Sequence, residues 1–157
     1  YWHVMVGLNY RMTEMQAAIG LVQLRKLEEF NRARIENARV LTEGLSKVDG
    51  VMPPYVRPNC VHVFHQYTIT LELEEFKCSR DEFARALDAE GIGVGVHYPT
   101  PVHKQPAYRE IARGVRLPVT ERVAERVLSL PVHPALSPED LEAIIRAVEK
   151  VATYYHR

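Results

Sequence analysis

The sequence predicts an α+β fold in which a long N-terminal helix precedes a small, mainly antiparallel three-stranded sheet packed with helices. No proline interrupts a helical pattern between Thr13 and Lys47. Residues 62–73 alternate between apolar and polar side chains, as a half-buried strand does. Most of the connections are too brief for parallel crossovers, which favours antiparallel pairing.

The long helical pattern begins at Thr13, which forms a capping-box pair with Gln16. Its apolar side chains recur at steps of three or four, which predicts one long helix or two joined helices. Roughly 35 residues at about 1.5 Å each span roughly 50 Å, so we expect this helix to face two bodies. We expect Gly20 to mark a bend or a close packing contact, or else to be a glycine that the helix merely tolerates. The stripe comprises Met15, Ala18, Ile19, Val22, Leu27, Phe30, Ala38, Leu41 and Leu45.

The next segments of the chain are a connector and a predicted strand. Residues 50–59 contain three prolines and predict a connector. In the strand predicted over residues 62–73, alternation assigns two faces. One face is expected to carry Val63, Tyr67, Ile69, Leu71 and Leu73, and the other Phe64, Gln66, Thr68, Thr70 and Glu72.

The second half of the chain predicts three helices and two short strands. Ser79 with Glu82 opens a helix that Gly91 ends, and Val94 and Val96 lie on a short strand that delivers His97 to its end. A long loop over residues 98–116 is typical of a functional segment. A helix over 120–127, a strand over 128–130 and a last helix starting at Ser137, Pro138 and Asp140 complete the chain.

Composition excludes several function classes. Twenty basic and twenty acidic side chains balance, which removes any general attraction to nucleic acid or to an acidic membrane. No apolar run approaches the roughly 20 residues of a membrane span. Cys60 and Cys78 have no CxxC spacing and no surroundings that would lower a thiol pKa. We therefore expect a cytoplasmic protein without nucleic-acid or membrane partners.

Motifs for self-contained catalysis or metal binding are missing from the sequence. His62 and His65 are three apart, and on a strand they would face opposite sides, so we expect no metal site. The glycines at 91, 93 and 95 do not match the dinucleotide fingerprint, and neither a phosphate-binding loop nor GxSxG occurs. The chain alone does not predict a hydrolase or a nucleotide-binding fold.

Three motifs in order carry a resemblance that runs nearly end to end. They are GLNYRMTEMQAAIGLVQLRKL (7–27), HYPTPVHKQPAY (97–108) and LSLPVHPALSPED (128–140). Together they resemble the C-terminal part of the DegT/DnrJ/EryC1/StrS family. The resemblance implies the small domain of an aspartate-aminotransferase-like fold. It also implies a homodimeric, pyridoxal-phosphate-dependent aminotransferase that moves an amino group, typically from glutamate, onto a nucleotide-linked keto-sugar for polysaccharide or antibiotic biosynthesis.

The resemblance also implies which part of such an enzyme the chain represents. Tyr1 to Val6 carry no start methionine, charged leader or cap, so we expect an upstream half. We expect residues 1–12 to end a large domain with a cofactor-contacting loop, 13–47 to form a connecting helix and 48–157 to form the small domain. The Schiff-base lysine of the family belongs to the large domain. The lysines present, Lys26, Lys47, Lys77, Lys104 and Lys150, lack its serine- and glycine-rich surroundings.

Asn9 is the predicted cofactor contact. From the residues alone Asn9 is a turn residue, but in the resembled family the asparagine of this loop reaches across a dimer interface to the cofactor phosphate. An amide donates to a phosphate oxygen without adding charge, and the helix beginning near Thr13 brings a positive dipole end close by. Arg11 either holds the loop through an ion pair or contacts the substrate, and Tyr10 packs at the interface.

His97, Tyr98 and His103 are the predicted substrate contacts. A histidine and a tyrosine at a strand end, followed by a proline-stiffened loop, can meet a pyrophosphate or sugar at little ordering cost. The alternative is a histidine bonded to backbone and a tyrosine covering the core. In the family, the matching segment lies at the active-site mouth. Gln105 and Tyr108 are weaker candidates, and His133 is interpreted as structural.

Three functions stay open. In the first, the chain is part of a transaminase and is inactive alone. In the second, it is a free-standing module without catalysis that dimerises or binds a sugar nucleotide. The third is a dehydratase relative in which a histidine outside this chain replaces the lysine. We expect no catalytic residue within the chain itself.

Overall fold

The computed structural model describes residues 8–108 and 110–157. Part of the predicted segment 1–12 therefore lies outside the described residues. Within them, five α-helices and three strands follow one another along the chain. They are α1 (Glu14–Leu24), α2 (Leu27–Leu45), β1 (Val51–Met52), β2 (Tyr67–Leu71), α3 (Arg80–Ala89), α4 (Pro118–Ala124), β3 (Val127–Leu130) and α5 (Pro138–Tyr155).

The N-terminal helical run consists of two joined helices. The predicted capping box is confirmed, since the Gln16 amide donates to Thr13 Oγ1 at 3.3 Å and the Thr13 amide to Gln16 Oε1 at 2.9 Å. The break between α1 and α2 falls at Arg25 and Lys26, so the idea that Gly20 marks a bend is wrong. Gly20 lies inside α1 with open space beside it.

The apolar stripe of these helices divides into a buried and an exposed half. Ala38, Leu41 and Leu45 of α2 are fully buried in the core. The preceding members are exposed on this chain, and they are Met15, Ala18, Ile19, Val22, Leu27 and Phe30. An apolar face of this kind along a helix is typical of a surface that another body covers.

The sheet has the order β1-β2-β3 with antiparallel pairing throughout. Tyr67 pairs with Leu130 and Ile69 with Leu128, which confirms a small antiparallel three-stranded sheet. The third strand was predicted wrongly, however. Val51–Met52 supplies it from the predicted connector, because the chain reverses at Gly50 (φ 75°) and Glu72 donates to the Gly50 carbonyl at 2.8 Å. Residues 94–96 make one isolated bridge, Gly95 with Ser129, in place of a strand.

The strand predicted over residues 62–73 is shorter than expected and starts at Tyr67. Phe64 is buried and Val63 exposed, the reverse of the predicted faces. The alternation fails because Phe64 has a φ of 46° and its amide donates to His62 Nδ1 at 2.9 Å. The strand premise used for His62 and His65 is therefore wrong as well.

The core lies between the sheet and a layer of helices. Tyr67, Ile69 and Leu71 share one face of β2 and are fully buried, while Thr68 and Thr70 lie on the opposite face. The helices α3 and α5 begin at the predicted caps, Ser79 and Ser137, each in a capping box. The core includes Leu41, Leu45, Phe76, Phe83, Leu87, Leu128, Val148 and Val151 together with that face of β2.

Two helical glycines provide a matched test of this packing. A Cβ at Gly44 would lie 2.6 Å from Ile145 Cδ1 of α5, whereas a Cβ at Gly20 meets nothing within 4 Å. We expect Gly44→Ala to lower the free energy of unfolding by about 1 kcal/mol, since overpacking outweighs the gain in helix propensity. Gly20→Ala should leave it unchanged or raise it by up to about 1 kcal/mol. Urea unfolding followed by circular dichroism measures both, and equal effects would contradict the α2–α5 contact.

Candidate functional site

His97 is held against the face of the sheet opposite the core. The Gly95 amide donates to the Ser129 carbonyl at 3.0 Å, and the Ser129 amide donates to the Gly95 carbonyl at 2.7 Å. This bridge places His97 Nδ1 3.4 Å from Ser129 Oγ, which in turn lies 2.9 Å from Thr68 Oγ1. A Cβ at Gly95 would come within 2.5 Å of the His97 ring. Glycine at this position is therefore a condition for the ring to sit there.

Two depressions share His97 as a wall. The first, which we call the apolar cleft, has a volume of about 510 Å³ and lies between the loop after His97 and helix α4. Most of its lining is apolar, so it suits an uncharged ring better than an ion. It is lined by His97, Tyr98, Thr100, Pro101, Val102, Gln105, Val119, Thr120, Val123, Ala124 and Val127.

The second depression lies on the other side of His97 and has a volume of about 340 Å³. We call it the basic depression, because Arg34 and three histidines line it together with glycine backbone. Its lining residues are Arg34, His65, Gln66, Gly93, Gly95, His97, Ser129, Leu130, Pro131, Val132 and His133.

Glu121 of α4 ties the proline-rich loop to that helix. Its carboxylate accepts from Lys104 Nζ at 2.6 Å and from the Leu117 amide at 3.0 Å, and it lies 3.0 Å from His103 Nε2. The Lys104 ammonium, the Leu117 amide and the His103 ring together lower the pKa of Glu121 to about 2. Since the loop and α4 form opposite walls of the apolar cleft, this contact sets the width of the cleft.

The structure separates the three predicted substrate residues. His97 and Tyr98 line the apolar cleft, and Tyr98 is 75% exposed, so it does not cover the core. The His103 side chain is almost fully buried against Glu121 and does not line the cleft. Gln105 lines the cleft, and its side chain donates to the Thr100 carbonyl at 3.2 Å.

Asn9 and Arg11 lie apart from these depressions. Both are exposed in the segment before α1, and neither lines the apolar cleft or the basic depression. The capping box already uses the Thr13 and Gln16 amides, and Glu14 supplies negative charge to the first turn. An exposed side-chain amide still fits a phosphate oxygen chemically. In this segment, the Asn9 side chain is therefore a better candidate donor than the helix end.

Several residues of the site were not anticipated from the sequence. Ser129 and Thr68 position His97, Arg34 lines the basic depression and Glu121 fixes the loop. A sequence signal existed only for Glu121, an acidic residue in the first turn of a helix that begins with Pro118. The partners of the other three are distant in sequence.

The remaining chemical groups are unremarkable. No group of three or more His, Cys, Asp or Glu side chains in residues 8–108 and 110–157 is placed to hold a metal ion. Cys60 and Cys78 are free thiols, and burial together with Glu82 raises the pKa of Cys78. Within the described part of the chain, no helix is both long and apolar enough to cross a bilayer.

Comparison with known proteins decides the family. Residues 1–149 match the family model described as the DegT/DnrJ/EryC1/StrS aminotransferase family. The chain belongs to this family. The resemblance carried by the three sequence motifs is thereby confirmed.

Curated relatives of this family include sugar aminotransferases. The dTDP-3-amino-3,4,6-trideoxy-alpha-D-glucose transaminase of Streptomyces venezuelae is 37% identical over 97% of this chain and 39% of its own length. The UDP-2-acetamido-2-deoxy-3-oxo-D-glucuronate aminotransferase of Pseudomonas aeruginosa is 34% identical over 94% of this chain and 39% of its own length. The chain thus spans about two fifths of the length of these relatives.

Solved structures of aminotransferases share the fold. DesV of S. venezuelae, in complex with a ketimine intermediate, superposes with a TM-score of 0.84 at 37% identity, over 97% of this chain and 40% of DesV. NtdA of Bacillus subtilis, with bound cofactor PMP, gives a TM-score of 0.82 at 25% identity, over 96% of this chain and 35% of NtdA. The predicted aspartate-aminotransferase-like fold is confirmed.

The Glu121 contact predicts a pH-dependent stability difference. The folded-state pKa of Glu121 lies below its ordinary value of 4.5. The contribution of Glu121 to the free energy of unfolding is therefore full above about pH 4.5 and is lost as the pH falls toward about 2. We expect Glu121→Gln to unfold at lower urea concentration than the wild type at pH 7, and this difference to shrink by pH 3. The control Glu149→Gln, on exposed α5 surface, should show no such trend. A constant difference between pH 7 and pH 3 would contradict the contact.

Proposed function

We propose that this chain is the C-terminal part of a pyridoxal-phosphate-dependent aminotransferase that acts on a nucleotide-linked keto-sugar with glutamate as amino donor. The observation that carries the proposal is the site at His97. There, a residue of the second family motif stands between an apolar cleft and a basic depression, beside the sheet face opposite the core. The sugar-nucleotide substrates in the printed names of the two curated relatives support the substrate class.

The division of the chain follows from the same proposal. Residues 1–12 end a large domain, 13–47 connect the two domains and 48–157 form the small domain. The exposed apolar residues of α1 support it, since a surface of that kind in water favours a covering partner. The large domain and a second subunit are the partners that this proposal assigns to that face.

His97 and Tyr98 are proposed to bind the sugar portion of the substrate. The Ser129 hydroxyl and the bridge at Gly95 hold the imidazole in place before the substrate arrives, which lowers the ordering cost of binding. Glu121 holds the loop in place against α4 through its contacts with His103 and Lys104. His103 is therefore proposed to act on the substrate through the position of the loop.

Asn9 is proposed to donate a hydrogen bond from its side-chain amide to the phosphate of the cofactor held by a partner subunit. Arg11, exposed two residues later, is proposed to contact the substrate or to hold this loop. When bound, pyridoxal phosphate supplies the electron sink for moving the amino group. The chain's own contribution is to bind and orient, and the reactive lysine is proposed to lie in the large domain.

The lysines of the chain support that assignment. All five are exposed, and two of them are engaged in ion pairs, Lys104 with Glu121 and Lys150 with Glu90. A Schiff-base lysine is ordinarily desolvated or placed beside another cation. Because all five are exposed, none of these side chains is desolvated.

A borohydride trapping experiment tests this point. We expect the purified chain, mixed with pyridoxal phosphate and reduced, to show only scattered substoichiometric labelling of exposed lysines by mass spectrometry. The same treatment of DesV provides the positive control. A stoichiometric adduct at a single lysine of this chain would contradict the assignment of the lysine to another domain.

Two alanine variants in the complete polypeptide test the assignment of the two loops. Asn9→Ala should weaken retention of pyridoxal phosphate about tenfold or more, because a phosphate contact is lost, and should leave the KM for the sugar nucleotide within about threefold. His97→Ala should instead raise the KM for the sugar nucleotide about tenfold or more, and it should leave retention of pyridoxal phosphate within about threefold. Dialysis followed by absorbance measures cofactor retention, and steady-state kinetics gives KM. Exchanged phenotypes would show that the loops are assigned wrongly, and absence of transamination in the wild type would favour a non-catalytic module or a dehydratase.

A further inference from the structure

We propose that Arg80 is a positioning residue for the apolar cleft. It holds the wall that α4 contributes, and it ends the backbone pairing at the point where the chain leaves the sheet at His97. The inference rests on the proposed function for its ligand, a nucleotide-linked sugar in that cleft. No sequence pattern pointed to Arg80, because the two carbonyls that it binds lie 44 and 47 residues further along the chain.

The burial of Arg80 is the first reason. This residue begins α3 and is only 7% exposed. A buried guanidinium is costly unless hydrogen bonds compensate for the water that it loses. Its Nη1 donates to the carbonyls of Ala124 and Val127, each at 3.2 Å, and its Nε donates to Asp81 Oδ1 at 2.5 Å. Arg80 therefore joins the start of α3 to the end of α4 and the start of β3.

The two carbonyl acceptors are the second reason. Ala124 and Val127 both line the apolar cleft. Ala124 is the last residue of α4, and the final carbonyls of a helix have no partner inside it. A positive charge at a helix C-terminus is also favourable. Since Arg80 itself does not line the cleft, it acts on a ligand through the position of these two residues.

The register at the edge of β3 is the third reason. Gly95 and Ser129 exchange both of their backbone hydrogen bonds. In an antiparallel ladder the next such pair lies two residues along each chain, which would set His97 opposite Val127. The described residues contain no backbone hydrogen bond between these two, and the Val127 carbonyl accepts from Arg80 instead. The guanidinium therefore ends the ladder, and the chain leaves the sheet at His97, which lines the cleft.

Steady-state kinetics of the complete polypeptide tests the proposal with Arg80→Met, which removes the donors and keeps an apolar stem. We expect the KM for the sugar nucleotide to rise about tenfold or more while kcat stays within about threefold, because a displaced wall weakens binding of ground state and transition state alike. Arg80→Lys keeps the charge and one donor nitrogen, so it should raise KM only about threefold. Retention of pyridoxal phosphate should not change in either variant.

A destabilised control separates positioning from a general loss of stability. Phe83→Leu alters a fully buried side chain of α3 that does not line the cleft, and it should lower Tm while leaving KM within about twofold. Kinetics are measured well below the Tm of each variant. Equal rises of KM in Arg80→Met and Phe83→Leu would overturn the proposal. If Arg80→Met does not fold, Arg80→Lys decides the matter, and a wild-type KM in that variant overturns the proposal.

A crystal structure of the folded Arg80 variant without substrate gives a readout that involves neither the cofactor nor turnover. We expect α4 and His97 to be displaced relative to β3, with the pairing of β2 and β3 unchanged. Wild-type positions of both would overturn the proposal even where KM rises. Absence of transamination in the wild-type polypeptide would contradict the proposed function, whereas displacement of α4 and His97 in the variant would still support the role of Arg80.

Discussion

The pairing of β2 with β3 is the constraint on which the rest of the structure depends. Its register sets Tyr67 opposite Leu130 and Ile69 opposite Leu128, so one face of the sheet becomes the floor of the core. The same register sets Thr68 opposite Ser129 and presents both hydroxyls on the other face. A shift by one residue would exchange the two faces and remove the core and the site together.

The site extends this sheet on the face opposite the core. Ser129 bridges to Gly95 and thereby positions His97, the residue shared by the apolar cleft and the basic depression. The loop after His97 has little regular structure of its own, and Glu121 fixes it to α4. The sheet, the bridge at Gly95 and the Glu121 carboxylate together shape the surface around His97.

Features with local causes were predictable from the sequence. The caps at Thr13, Ser79 and Ser137 each need only a partner three residues away, and all three form as predicted. The strand Val51–Met52 and the failed alternation at Phe64 were missed, because each depends on contacts with distant residues. The grouping of Arg34, His65 and His133 was missed for the same reason, since α2 and two separate loops supply it.

A crystal structure of the complete polypeptide with a bound nucleotide-linked sugar tests the central claim most directly. The account predicts that the sugar contacts His97 and Tyr98 in the apolar cleft and that the apolar residues of α1 are covered. A ligand bound on another surface, with α1 still exposed to solvent, would contradict it.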